Sequence, residues 1–253
     1  MTDKIKINIS AGGIFSKFMF GIQNAEFINS NVNQIYFHNL DQRAVANNST
    51  KNPFDYVLEQ EYDEHYLDIS AIHLGNYSKF NPIENSNKLL SFKKISSTMK
   101  FSPELLELVQ KYENLIKFDN NIIGVHIRLC DMNINHANDY GILNYEDYDS
   151  QIEKIISCKN RVFVASDNNQ SIDKLKNKYG DKILFIPDLL RATTETEDTY
   201  LMQEKYLGSK QLWIESFLEM LLLSKCSILM CRTSNLANAS IIFSKTLENI
   251  IRI

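Results

Sequence analysis

The sequence predicts an α/β protein built as two Rossmann-like halves with a cleft between them. Three observations predict it. Residues 4–29 read as a strand, a glycine turn and a helix (K-I-K-I-N-I-S, Ala11-Gly12-Gly13, then I-F-S-K-F-M-F-G-I-Q-N-A-E-F-I), the opening of a Rossmann-like unit. From residue 121 onward short β-branched runs alternate with helical patterns, which argues for a parallel, doubly wound sheet. Between these halves lies Asp119-Asn120-Asn121, a polar trio that suggests a boundary and hence domains 1–119 and 120–253.

Each element follows from its local pattern. In the first half, 33–38 (N-Q-I-Y-F-H) reads as a second strand, Phe54–Gln60 as a short helical piece, and Lys88–Ile95 as a strand. The run D-E-H-Y-L-D at 63–68 matches no metal-ligand spacing and reads as solvated or turn. Ser102-Pro103-Glu104 starts a helix, with Ser as N-cap and Pro in the first position; Leu105, Leu106, Leu108, Val109, Tyr112 and Ile116 supply its apolar stripe. In the second half, N-I-I-G-V-H-I-R-L-C-D at 121–131 opens with a continuous apolar run that suits a strand covered on both faces. A polar loop to Asn144 follows. Helices are expected at Tyr145–Ser157, Ser171–Tyr179 and Gln211–Lys225, strands at Arg161–Ser166, Lys182–Ile186 and Ser227–Cys231, and a last helix after R-T-S-N at 232–235.

Composition narrows the function. The chain of 253 residues is 44% hydrophobic and 23% charged, with a net charge of −4. That is an ordinary globular composition without the basic surface of a nucleic-acid binder. No apolar stretch approaches membrane-spanning length, and M-T-D-K-I-K-I-N-I lacks a signal-peptide core. The expectation is a cytoplasmic protein with no integral membrane segment, compatible with a peripheral place at the membrane. Cys130, Cys158, Cys226 and Cys231 form no C-x-x-C pair and read as buried free thiols.

Polar groups collect at strand ends. His126 and Arg128 are two apart, so on a strand they share a face, and Asp131 follows where the strand turns into a loop. An arginine at the carboxyl end of such a strand is a natural partner for phosphate, through bidentate charge-assisted hydrogen bonds. Asp167 closes the next strand. Thr233, Ser234 and Asn235 stand where a helix begins, with hydroxyls and exposed N–H groups that suit an anion. Glu219, one helix upstream, could accept paired N–H bonds from a guanine edge. Gly12 and Gly13 would let backbone amides approach a ligand. Together these suit a nucleotide diphosphate held without a Walker lysine motif, which is absent.

H-I-R-L-C-D at 126–131 resembles the H-x-R-R-x-D motif of the GT-B fucosyltransferases (the α1,2-, core α1,6-, nodulation-factor and protein O-fucosyltransferases). R-V-F-V-A-S-D-N at 161–168 and E-M-L-L-L-S-K-C-S-I-L-M-C-R-T-S-N at 219–235 are similar to two further blocks of that superfamily, in the same order and spacing, and A-G-G-I-F-S-K-F at 11–18 is similar to the Gly-Gly turn of its first domain. The resemblance is clear over residues 121–245. It implies a GT-B-like fold, an N-terminal acceptor domain and a C-terminal domain for a nucleotide-sugar donor. It implies that His126 and Glu219 contact guanine or ribose, that Arg128 binds the β-phosphate, that Ser234 and Asn235 hold phosphate oxygens, and that Asp131 and Asp167 fix loops. Two letters depart from the pattern: Glu219 stands for an Asp, and Leu129 for the second arginine.

The activity implied is inverting, metal-independent transfer of a sugar, L-fucose first, from a GDP-sugar to a hydroxyl of an oligosaccharide, glycolipid precursor or protein. No cofactor is implied, since the GDP-sugar is itself a substrate. The general base would come from the loop after Asp131, His136 first because an unshifted His titrates near neutrality, Asp139 second. Leu129 keeps two other readings open: a transferase using another sugar nucleotide, and a catalytically silent nucleotide- or glycan-binding module of the same fold. A metal hydrolase built on His126 and Asp131 lacks a second His at ligand spacing.

Overall fold

A computed structural model describes residues 4–9, 13–28, 34–39, 52–60, 67–70, 86–119, 121–130, 133, 141–157, 161–194, 209–247 and 249–253. The chain forms two compact units. One comprises Met1–Val109, Tyr206–Met220 and Thr233–Phe243; the other comprises Gln110–Lys205, Leu221–Arg232 and Ser244–Ile253. Where the sequence suggests one boundary at 119/120, the chain therefore changes unit at 109/110, 205/206, 220/221, 232/233 and 243/244. Two of these junctions fall inside continuous helices, which local polarity cannot mark.

The first unit contains β1 (Lys4–Ile9), α1 (Ile14–Ile28), β2 (Gln34–Asn39), β3 (Leu67–Ser70), α2 (Ser86–Ser96) and the start of α3 (Pro103–Leu115). Its sheet is parallel, in the order β2-β1-β3. Ile5, Ile7 and Ile9 of β1 are buried, as are Phe18, Met19 and Ile22 of α1. An aromatic cluster completes the core: Phe18 meets Phe217 edge-on at 4.9 Å, and Trp213 meets Phe54 edge-on at 5.0 Å. The free edge of β2 is covered by side-chain amides. Gln60 Oε1 accepts the Phe37 N–H at 3.1 Å, Gln60 Nε2 donates to the Phe37 carbonyl at 3.1 Å, and Asn52 Oδ1 accepts the Asn39 N–H at 3.1 Å. These bonds satisfy backbone groups that an exposed edge leaves open.

Three expectations for this half change. Residues 88–95 are helical, not a strand, because a period of three to four governs burial there. Phe92 is 2% exposed and Ile95 7%, whereas Leu90, which would share Phe92's face in a strand, is 65% exposed. The window 63–68 cuts across β3, in which Leu67 and Ile69 alternate and pair with Ile5 and Ile7; residues 61–66 lie outside the described residues. The helical piece at 54–60 is a single 3-10 turn, Pro53–Tyr56. The helix start at Ser102 appears as expected: its Oγ accepts the Leu105 N–H at 3.4 Å and donates to the Tyr56 carbonyl at 2.9 Å.

The second unit carries a five-stranded parallel sheet. Its strands are β4 (Ile123–Ile127), β5 (Val162–Ser166), β6 (Ile183–Leu184), β7 (Ile228–Cys231) and β8 (Asn249–Arg252), in the order β6-β5-β4-β7-β8. α4 (Tyr145–Ser157) joins β4 to β5, and α5 (Asn169–Tyr179) joins β5 to β6. α6 (Lys210–Ser224), of the first unit as far as Met220, leads into β7, and α7 (Asn235–Phe243), also of the first unit, precedes β8 in the chain. The Asn168 side chain caps α5 by accepting the Ser171 N–H at 2.8 Å, and Gly180 ends it with φ 59. β6 is shorter than expected, and β8 appears where only a last helix was expected. The strand order reverses at β4, and the carboxyl ends flanking such a switch point are where open α/β sheets bind ligands.

Candidate functional site

β4 has two distinct faces. Val125, Ile127 and Leu129 pack into the core beside Tyr145, Tyr148 and Ile152 of α4. Gly124 faces the other way, so close to its neighbours that a Cβ there would lie 2.9 Å from Cys226 Sγ and 3.0 Å from Leu223 Cδ2. Alternation puts His126 on the Gly124 face; it is buried, and in register with Ala165 and Cys231. Arg128 follows just past the end of the strand and is half-buried.

The backbone around Arg128 is held at several points. Its N–H donates to the Tyr148 hydroxyl at 3.5 Å. The Asp167 carboxylate accepts the Leu129 N–H at 3.1 Å and the Cys130 N–H at 3.0 Å. It also accepts from Asn168 Nδ2 at 2.9 Å. Asp167 stands at the end of β5, so one anion fixes how the chain leaves the neighbouring strand. Cys130 Sγ donates to the Thr194 carbonyl at 3.4 Å, tying the same turn to the segment after β6. Burial pushes the Tyr148 phenol well up, so it stays protonated.

Leu129 is 1% exposed. The position where the resembled motif carries a second cation is therefore directed into the α4 core of this chain, where an arginine could not reach a ligand.

Two buried arginines escaped the sequence reading. Arg232 follows β7 and is 2% exposed; its Nη1 donates to Asn133 Oδ1 at 3.2 Å and its Nη2 to the Gly141 carbonyl at 3.0 Å. Arg191 donates Nε to the Ser166 carbonyl at 3.1 Å and Nη1 to the Ile186 carbonyl at 3.0 Å. The available signal for Arg232 was a cation placed directly between an apolar strand and the T-S-N run. Next to it, burial raises the Cys231 thiol to about 11, against the pull of Arg252, whose Nη1 lies 3.2 Å from Cys231 Sγ. Burial also pushes Cys226 up. Cys130, Cys226 and Cys231 are free and buried, as expected; Cys158 lies outside the described residues.

The remaining described candidates belong to the first unit. The Gly13 carbonyl accepts the Lys17 N–H at 2.9 Å, which makes Gly13 the first capping residue of α1. Lys17, one turn on, is fully buried, a cation that the apolar run around it concealed. Ser234 caps α7, its Oγ accepting the Ala237 N–H at 3.1 Å, so toward an anion it can act through its O–H. Asn235 Nδ2 donates to Ser16 Oγ at 2.9 Å. This bond brings the N-termini of α1 and α7 together, and both concentrate backbone N–H groups. Thr233 is half-buried beside them. Glu219 on α6 is 8% exposed, not the solvent-facing residue an amphipathic helix would place there.

His126, Arg128 and Asp167 thus fall in one unit, and Gly13, Glu219, Thr233, Ser234 and Asn235 in the other. Gly12, Asp131, His136 and Asp139 lie outside the described residues. Among the described residues no three His, Cys, Asp or Glu side chains gather as a metal site, and no helix is long and apolar enough to cross a membrane.

Residues 92–236 match the sequence model described as alpha-(1,6)-fucosyltransferase N- and catalytic domains. Among solved structures the chain is similar to NodZ alpha-1,6-fucosyltransferase soaked with GDP-fucose, at 11% identity and a TM-score of 0.59, covering 99% of this chain and 95% of that one. It is similar to NodZ co-crystallized with GDP, at 13% identity, a TM-score of 0.57 and the same coverage. For fucosyltransferase NodZ from Bradyrhizobium the values are 12%, 0.59, 99% and 96%. At such identities the likeness is one of fold, and that fold is GT-B-like α/β with Rossmann-like units. No curated protein matches the sequence.

Proposed function

We propose, from the premise that this chain belongs to the family of alpha-(1,6)-fucosyltransferase N- and catalytic domains, whose model matches more than half of it, that it transfers L-fucose from GDP-fucose to a hydroxyl of a glycan, glycolipid precursor or protein. The observation that carries the reading is the place of Arg128. It stands at the carboxyl end of the central strand, at the point where the strand order reverses, with its peptide flanked by hydrogen bonds to Tyr148 and Asp167.

Glycosyl transfer from a nucleotide diphosphate builds negative charge on the leaving phosphates as the sugar gains oxocarbenium character. Arg128 supplies a cation for that charge, carried on a peptide that is held before the bond breaks. The N–H groups and hydroxyl at the start of α7, with Ser234 and Asn235, add donors for phosphate oxygens. His126 and Glu219 read the guanine or its ribose. The acceptor hydroxyl attacks opposite the departing diphosphate, so the configuration inverts. His136, or Asp139 in its place, accepts the acceptor's proton. No metal is needed where a cation and a helix N-terminus share the charge. The protein works in the cytoplasm or peripherally at a membrane surface, and within residues 1–119 those of the first unit, 1–109, carry acceptor specificity.

The test is Arg128→Ala. Transfer should fall by about a hundredfold or more, the scale of losing one transition-state charge stabiliser, and GDP should bind weakly. Unchanged GDP affinity in a folded variant would show the assignment to be wrong. Leu129 supports a second reading, a transferase using another sugar nucleotide or a silent binding module, because its core-facing side chain leaves the site with one motif cation. Steady release of GDP from GDP-fucose by the wild-type chain rejects the silent module.

A further inference from the structure

We propose that Arg232 is a positioning residue that sets the stem of the connection from β4 to α4. Its two terminal nitrogens reach both ends of that connection: Asn133 Oδ1 at 3.2 Å and the Gly141 carbonyl at 3.0 Å. Asn133 closes the stem itself, donating Nδ2 to the Leu143 carbonyl at 2.5 Å and accepting the Leu143 N–H at 3.2 Å. Gly141 adopts φ 74, a conformation that favours glycine.

Arg232 is well placed for this task. It directly follows β7, the strand paired to β4 at the switch point, and its own carbonyl accepts Arg252 Nη1 at 3.3 Å. The peptide that carries the guanidinium is therefore held as well. The same cation acts on the Tyr148 hydroxyl against the upward push of burial, and that hydroxyl accepts the Arg128 N–H. A guanidinium buried to this degree is costly. An apolar side chain would fill the space at less cost but could not bond two acceptors 91 and 99 residues away in sequence. The planar fork of arginine reaches the two from separate nitrogens at a fixed spread, which the single nitrogen of an ammonium does not.

The consequence for catalysis rests on the fucosyltransferase reading. The stem determines where the chain leaves the strand that bears Arg128 and where it enters α4; in that reading the general base lies between these two ends in sequence, so Arg232 acts on the reaction without touching the donor.

Two variants of the full chain, Arg232→Lys and Asn133→Ala, test this by amide hydrogen exchange at Leu143 and by donor and acceptor kinetics. Each should speed Leu143 exchange about tenfold or more, since local opening becomes easier. Each should lower kcat about tenfold with GDP affinity changed less than about threefold, a loss confined to the reacting complex. The double variant should lose less than the product of the two single losses, because the residues act as one unit. Unchanged exchange and kcat in folded Arg232→Lys would overturn the proposal. So would a loss of GDP affinity as large as the loss of kcat, which would make Arg232 a ligand. Asn133→Ala, at a half-buried position, carries the same measurements if the lysine variant does not fold. If the wild-type chain turns over no GDP-fucose, the fucosyltransferase reading fails, while Leu143 exchange still decides the stem.

Discussion

Arg128 and Leu129 are adjacent, yet pleating sends them to opposite environments. One leaves the strand end half-buried, and the other fills the α4 core. Restoring the motif arginine at 129 is therefore predicted to harm the protein. Leu129→Arg would bury a charge among Tyr148, Ile152 and Val125 and should destabilise by roughly 3–5 kcal/mol. A urea midpoint equal to wild type, with tighter GDP binding, would show that position 129 can face the donor after all. The buried thiols give a pH signature. Cys231 ionises near 9 when unfolded and near 11 when folded. Its contribution is fully present below pH 9 and is lost as pH rises toward 11, at most about 3 kcal/mol. Cys226, raised by burial, acts in the same direction. Denaturation at pH 8 and pH 10.5 should show the higher pH to be less stable, and Cys231→Ser should flatten the difference.

At the scale of elements, β4 works because Gly124 lets the neighbouring segment approach closely. Gly124→Ala would set a methyl 2.9 Å from Cys226 Sγ and 3.0 Å from Leu223 Cδ2. Both neighbours are fully buried, so neither can move cheaply, and the expected cost is about 1–3 kcal/mol. Thermal melts of the variant decide this; an unaltered melting temperature would mean the segment is free to recede. Elements with long patterns were legible: α1, α4 and α6 lie within a residue of their expected bounds, α4 because its buried positions 145, 148, 152 and 156 recur at the helical period, α1 and α6 because their apolar runs are too long for a strand. The short elements were not. At 88–95 four apolar residues in eight fit both periods, and only burial of Phe92 and Ile95 against their surroundings separates them. β3 and β8 have four residues each, and their identity comes from pairing with β1 and β7 rather than from composition.

Over the whole molecule, the proposed site makes a prediction about ligands rather than residues. GDP at about a hundred times its dissociation constant should add roughly 2.7 kcal/mol to the stability of whichever state binds it. UDP should not match it if Glu219 reads guanine. Transfer should persist in EDTA if Arg128 and the α7 N-terminus carry the leaving charge. Equal stabilisation by UDP would remove the role given to Glu219, and complete loss of activity in EDTA would remove the metal-independent mechanism.

What the sequence by itself determined is chemical and local. It revealed the apolar strand ending in His126 and Arg128, the helix start at Thr233 to Asn235, the strand and helix on either side of Gly12-Gly13, and the order of blocks that resembles the fucosyltransferases. These are legible because covalent neighbours at fixed offsets dictate them. Only the tertiary structure decided that Leu129 faces the core, that Asp167 holds the turn after Arg128, that Asn235 ties α7 to Ser16 of α1, and that Arg232 binds residues 91 and 99 positions upstream. Such contacts join segments far apart in the chain. They depend on which strands become neighbours and on which face each side chain takes, and the cost of burying a charge keeps them only where the folded backbone supplies the acceptors.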